Sequence, residues 1–178
     1  MKLFKSISFL YLLTILIVSC SNNELTINWP ELENNYSVSK NIKSVHSVNS
    51  KINYVLEANI IRPYNKEVNT DELLQGFDLI IYDENNKPSS SIKANYGLYF
   101  HEKDIMEAKK GVIIKTAKNE IIKTDHLTWD HTSDKVYTDA FVTIITDKRT
   151  ITGYGLESAN NLQDFQLKKV SGTIDINN

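Results

Sequence analysis

The chain has 178 residues, with 20 Lys and Arg against 22 Asp and Glu, and a single cysteine. That length suits one domain with a sizeable core. The slightly acidic balance without a basic block excludes a nucleic-acid surface, and one thiol excludes an internal disulfide. The residue mix leans heavily on Ile, Val, Thr and Tyr; these are strand formers, so an all-β fold is expected.

The first element is a leader. Met1-Lys2-Leu3-Phe4-Lys5 is a basic head, Ile7 to Val18 is an apolar run, and Ile17-Val18-Ser19-Cys20 closes it with small residues. The order is that of a secretory signal, and the run is short of the roughly 20 apolar residues that span a bilayer. Its end resembles a bacterial lipobox, which implies a signal peptide over 1–19 and a lipidated Cys20 as the first mature residue. Lipidation also accounts for the odd cysteine, and two or three acyl chains at about 0.8 kcal/mol per buried methylene anchor a protein stably. Loss of residues 1–19 leaves 159 residues and, without Lys2 and Lys5, a formal charge of −4. Residues 20–50 are polar and rich in Ser and Asn, and read as a tether. Trp29-Pro30 interrupts it, either touching the membrane or the domain or packing locally.

From residue 51 the domain begins as short alternating runs, such as 52–58 and 77–82, the latter ended by Asp83-Glu84-Asn85-Asn86-Lys87-Pro88. One helical turn is expected at Thr70-Asp71-Glu72-Leu73-Leu74 after a capping Asn69 or Thr70. The last third repeats: residues 104–116, 134–146 and 164–176 match at a spacing of 30. Val112 and Ile114 align with Val142 and Ile144, then with Gly172 and Ile174. A second register aligns Ile92-Lys93-Ala94 with Ile122-Lys123-Thr124 and Ile151-Thr152-Gly153. Each cycle reads strand, turn, strand, turn, and such a period marks stacked units that cannot bury a face alone. Period-2 patterning places Val112, Ile114, Val142, Ile144, Ile174 and Ile176 on the inner face. Ala94, Thr124 and Gly153 mark a level where side chains must be short or the strand must bend. An apolar stripe of this kind equally fills a closed β-core.

These pieces in this order resemble the LptC family. The resemblance runs from about Lys51 to Ile176 and rests on Ile92-Lys93-Ala94-Asn95-Tyr96-Gly97, Gly111-Val112-Ile113-Ile114 and Thr124-Asp125-His126-Leu127-Thr128-Trp129-Asp130. It continues through Val136-Tyr137-Thr138-Asp139-Ala140-Phe141-Val142-Thr143-Ile144, Ile151-Thr152-Gly153-Tyr154-Gly155-Leu156-Glu157 and Val170-Ser171-Gly172-Thr173-Ile174. It implies an open, twisted antiparallel β-jelly roll over 51–178, with lipid A acyl chains of lipopolysaccharide lying in an apolar groove. It implies three partners besides that lipid: an LptF/LptG-like inner-membrane ABC transporter at the N-terminal edge, an LptA-like periplasmic bridge protein at the C-terminal edge, and the membrane through the lipid anchor. The position is then the periplasmic face of the inner membrane. Strand addition supplies the chemistry of both contacts; Leu167, Val170 and Ile174 mark the C-terminal edge. Many relatives begin with a transmembrane helix where this chain begins with the lipobox-like leader.

No cofactor or bond chemistry is expected. His126 and His131 lie near Asp125, Asp130 and Asp134, but the repeat gives the slot of His126 to Tyr96 and Gly155, so a solvated turn is the better reading than a metal or catalytic centre. Pro88-Ser89-Ser90-Ser91 lacks a nucleophile-elbow context, and Gly153-Tyr154-Gly155 lacks the third glycine and helix of a dinucleotide site. The alternative to lipid transport is a membrane-anchored β-domain acting as a protein-binding scaffold. A slot between parted sheets favours transport, and a sealed core favours the scaffold.

Overall fold

A computed structural model describes residues 37–65, 69–159, 162 and 164–175. They form one antiparallel sheet of nine strands in chain order: β1 (Ser39–Val48), β2 (Lys51–Asn65), β3 (Thr70–Tyr82), β4 (Pro88–Phe100), β5 (Ile105–Lys115), β6 (Ile121–Asp130), β7 (Lys135–Ile145), β8 (Arg149–Ala159) and β9 (Asp164–Asp175). The signal segment, Cys20, Trp29-Pro30 and Ile176 lie outside the described residues.

Two expectations need correcting. Part of the polar stretch assigned to the tether is β1, which pairs with β2 through a tight hairpin at Asn49 and Ser50, both at positive φ (52° and 64°). Two successive left-handed residues match the twist of the flanking strands. As an edge strand β1 is mostly exposed, so its sequence carries no sustained apolar period. The helical turn at Thr70–Leu74 is instead the start of β3. A bulge at Gln75-Gly76 (φ 62° and 95°) then shifts the register of β3 against β4 between Leu74 and Phe77. Polar Thr70-Asp71-Glu72 followed by the adjacent Leu73-Leu74 breaks period-2 alternation, so the stretch reads like a capped helical turn.

The 30-residue repeat is a two-strand unit, and its turns repeat as well as its strands. Asp104 and Asp134 both take φ 51°. Thr116 Oγ1 accepts from the backbone N–H of Lys118 and Glu120, and thirty residues on Thr146 Oγ1 accepts from Lys148 and Arg149. A threonine hydroxyl that satisfies turn amides fixes the hairpin locally.

Each pairing from β2–β3 to β8–β9 shifts register near mid-strand. The shifts fall beside Ala94, Thr124 and Gly153, the three short residues of the repeat. A row of aligned bulges bends every strand at one level, so the sheet folds into two leaves. Cross-strand partners share a face. The first leaf therefore presents inward the row Leu56, Leu79, Ile92, Ile114, Ile122, Ile144 and Ile151. The second presents Tyr99, Met106, Trp129, Val136, Ser158 and Phe165. Residues of both rows belong to one core cluster, the signature of a rolled, open β-jelly roll. Among the described residues no strand pairs with the outer edge of β1 or of β9.

Candidate functional site: the space between the leaves

Val112, Ile114, Val142 and Ile144 stand on the inner face, none more than 2 % exposed. The repeat brings them together as expected, in two adjacent rows on the first leaf. Ile174 is a correction. It pairs with Thr150, which pairs with Ile145, and so lies on the outer face, 70 % exposed; Thr173 occupies the inner row beside Ile151. The cause is a further register shift on β9, where Thr152 faces Gly172 and Gly153 faces Val170. A one-residue slip turns every following side chain over.

Gly153 is required at that shift. A Cβ there would run into the carbonyl oxygen of Lys169 and lie 2.7 Å from Leu167 Cδ2. On β9 Leu167 packs against the core, whereas Val170 is largely exposed. The free edge of β9 is guarded by Lys168, which holds Asp139 at 3.0 Å, and by Lys169. At the opposite edge β1 exposes Val45 and Val48, and Lys43 bonds Glu57 at 2.7 Å. Among the described residues, each edge thus carries unpaired backbone groups flanked by exposed valines.

The leaves meet at a mouth opposite the bend, and two groups of side chains bridge it. Tyr54 of β2 and Trp129 of β6 contact edge to face at 5.1 Å, although β3, β4 and β5 separate their strands in the sheet. His46 stacks on Tyr54 at 4.8 Å, and His131 completes the cluster against all three rings. His131 Nδ1 donates to Asp104 Oδ2 at 2.6 Å, and the Tyr99 hydroxyl donates to Asp104 Oδ1 at 2.6 Å. Burial opposes ionisation of Asp104, but these two donors outweigh it and hold the carboxyl below its ordinary range. Burial pushes the Tyr54 hydroxyl up, assisted by the negative charge of Asp104. The second bridge is exposed: Lys118 of the β5–β6 turn meets Asp164 at 3.0 Å.

Beside that second bridge the mouth is partly open. A concavity of about 390 Å³ is lined by Ile144 and Ile151 of one leaf, Phe165 of the other, and the polar turn residues Lys118, Thr146 and Arg149. Elsewhere the inner side chains fill the space between the leaves, and no parted slot runs the length of the sheet among the described residues.

The solvated-turn reading of His126 and His131 needs revision for His131, whose side chain is only 19 % exposed within the ring cluster. His126 sits at the β6 bulge, half-buried. The signal that finds the cluster is the repeat itself. Tyr99 and Trp129, like His101 and His131, stand thirty apart, and each histidine bonds an aspartate, Asp71 at 2.9 Å and Asp104 at 2.6 Å. Tyr96 is another aromatic with a perturbed hydroxyl. Burial first, and then its bond to Glu72, pushes it up to about 12.

No curated protein matches the chain. A family model described as lipopolysaccharide-assembly, LptC-related, matches residues 9–175. An all-β sheet rolled over an apolar interior is the fold that this match implies. The chain belongs to the LptC family, a periplasmic component of lipopolysaccharide transport.

Proposed function

We propose that this protein receives lipopolysaccharide from an LptF/LptG-like inner-membrane ABC transporter and passes it between its two leaves to an LptA-like bridge protein. It works at the periplasmic face of the inner membrane, anchored by lipid at Cys20, and makes or breaks no covalent bond in its cargo. The observation that carries the reading is the inner row from Leu56 to Ile151, apolar on seven consecutive strands and ending near a free sheet edge at each side.

The physical logic is exchange. An acyl chain gains about 0.8 kcal/mol for each methylene taken out of water, so a lipid crossing an aqueous space needs unbroken apolar cover. The inner residues already touch apolar neighbours; acyl chains entering between the leaves replace those contacts with equivalent ones. What resists entry is bending at the bulges and the few contacts across the mouth. Movement draws its free energy from the transporter, and the domain supplies the path. At each free edge, strand addition by a neighbouring sheet prolongs the inner row into the next protein.

The packed interior favours a second reading, an anchored scaffold whose edges bind proteins and whose core stays closed. Photo-crosslinkers decide. At Val142 or Ile144 they should capture lipopolysaccharide, and at Lys168 the bridge protein. Depletion should trap lipopolysaccharide at the inner membrane. Capture at Lys168 without capture at Val142 or Ile144 leaves the scaffold, and normal surface lipopolysaccharide after full depletion removes the transport role.

A further inference from the structure

Among the buried side-chain polar atoms of the described residues, one has no hydrogen-bond partner: Nε1 of Trp129. The residue is 4 % exposed and sits in the inner row of the second leaf, between Met106 and Val136. A buried donor left unpaired carries a desolvation cost that folded proteins rarely tolerate. Its edge-to-face contacts with the Tyr54 and His131 rings are at most weak partners. An apolar ring would fill the same space without that cost.

Its place in the fold gives the orphan donor a use. Trp129 is one residue from the end of β6, at the rim of the apolar interior, and the partly exposed pair of His131 and Asp104 lies beside it at the strand end. Indoles suit such a boundary because one end is apolar and the other donates a hydrogen bond. A lipid lying with its chains inside and its head group outside brings one kind of acceptor to that depth, the carbonyl oxygen joining chain to head group. Tyr54, backed by His46, covers Trp129 from the opposite leaf; parting of the mouth at this point uncovers the indole.

We infer that Trp129 is a hydrogen-bonding subsite for the acyl carbonyl of the cargo, fixing how deep each chain sits between the leaves. The inference rests on the transport reading above and deepens it. Carbonyl recognition at the rim holds the chain–head group junction at the mouth while the tails slide along the inner rows.

The test compares two synthetic glucosamine phosphates carrying identical chains, one ester-linked and one ether-linked, binding to the full chain in detergent. Wild type should bind the ester about two- to tenfold more tightly, the span of one net hydrogen bond. Trp129→Phe should lose that preference while binding the ether form as wild type does. Equal binding of both lipids by wild type, or an ester preference that survives in W129F, overturns the subsite and leaves the transport reading standing. Failure of wild type to bind either lipid overturns the transport reading and the subsite with it. The wild-type comparison does not depend on the variant folding, and near-ultraviolet circular dichroism checks that W129F keeps its ring cluster.

Discussion

Ile144 and Ile174 occupy equivalent repeat positions, yet one is 2 % and the other 70 % exposed. Truncating each to alanine therefore tests the two-leaf arrangement directly. Ile144→Ala removes a side chain packed within the core cluster and should cost about 2–5 kcal/mol, the span for buried aliphatic deletions. Ile174→Ala, on the outer face of an edge strand, should stay within about 0.5 kcal/mol. The compact unit Tyr36–Asn178 has 143 residues. At roughly 2.1 cal/mol/K of unfolding entropy per residue, each kcal/mol moves the midpoint by about 3 °C. I144A should melt about 7–17 °C below wild type, and I174A within about 2 °C of it. Calorimetry of the soluble domain, with matched denaturant titrations, reads both. Equal losses for the two variants, or a shift below about 3 °C for I144A, would refute the assignment of faces and with it the inner row.

Three further outcomes follow from the same geometry. Gly153→Val has no room beside Lys169 and Leu167, so β9 should loosen from β8: overpacking should cost about 1–3 kcal/mol, and hydrogen exchange should accelerate in β9 well before the other strands. Unchanged exchange there would contradict the bulge. Asp104 has a depressed folded pKa, so its contribution is present above the ordinary carboxylate range and is lost as pH falls through the folded value. Asp104→Asn should therefore be less stable than wild type near neutrality and should flatten the loss of stability below about pH 4; parallel acid titrations would sink the idea. Across the mouth, Tyr54→Ala should destabilise by about 1–3 kcal/mol, because the ring is partly buried against the core. Lys118→Ala should change stability by less than about 1 kcal/mol, because its pair with Asp164 is exposed. A double comparison by thermal melting separates the packed bridge from the solvated one.

The sequence alone determined the strand content and the unit of repetition. Apolar residues at alternate positions and turn-forming Asp and Thr recur every thirty residues, and both are local properties that no distant contact overrides. The inner positions of Val112, Ile114, Val142 and Ile144 followed from that alternation, and so did the level of bending at Ala94, Thr124 and Gly153. Tertiary structure decided the rest. Strand β1 was hidden because an edge strand buries little and needs no apolar period. The start of β3 resembled a helix because the adjacent Leu73 and Leu74, after polar Thr70-Asp71-Glu72, break the period-2 alternation. Ile174 turned outward because one register shift on β9 outweighs a repeat that sequence can only extrapolate. The ring cluster at the mouth joins His46 and Tyr54 to Trp129 and His131 across more than seventy residues of chain. Only the rolling of the sheet brings them together, since proximity across two leaves depends on where every bulge falls at once.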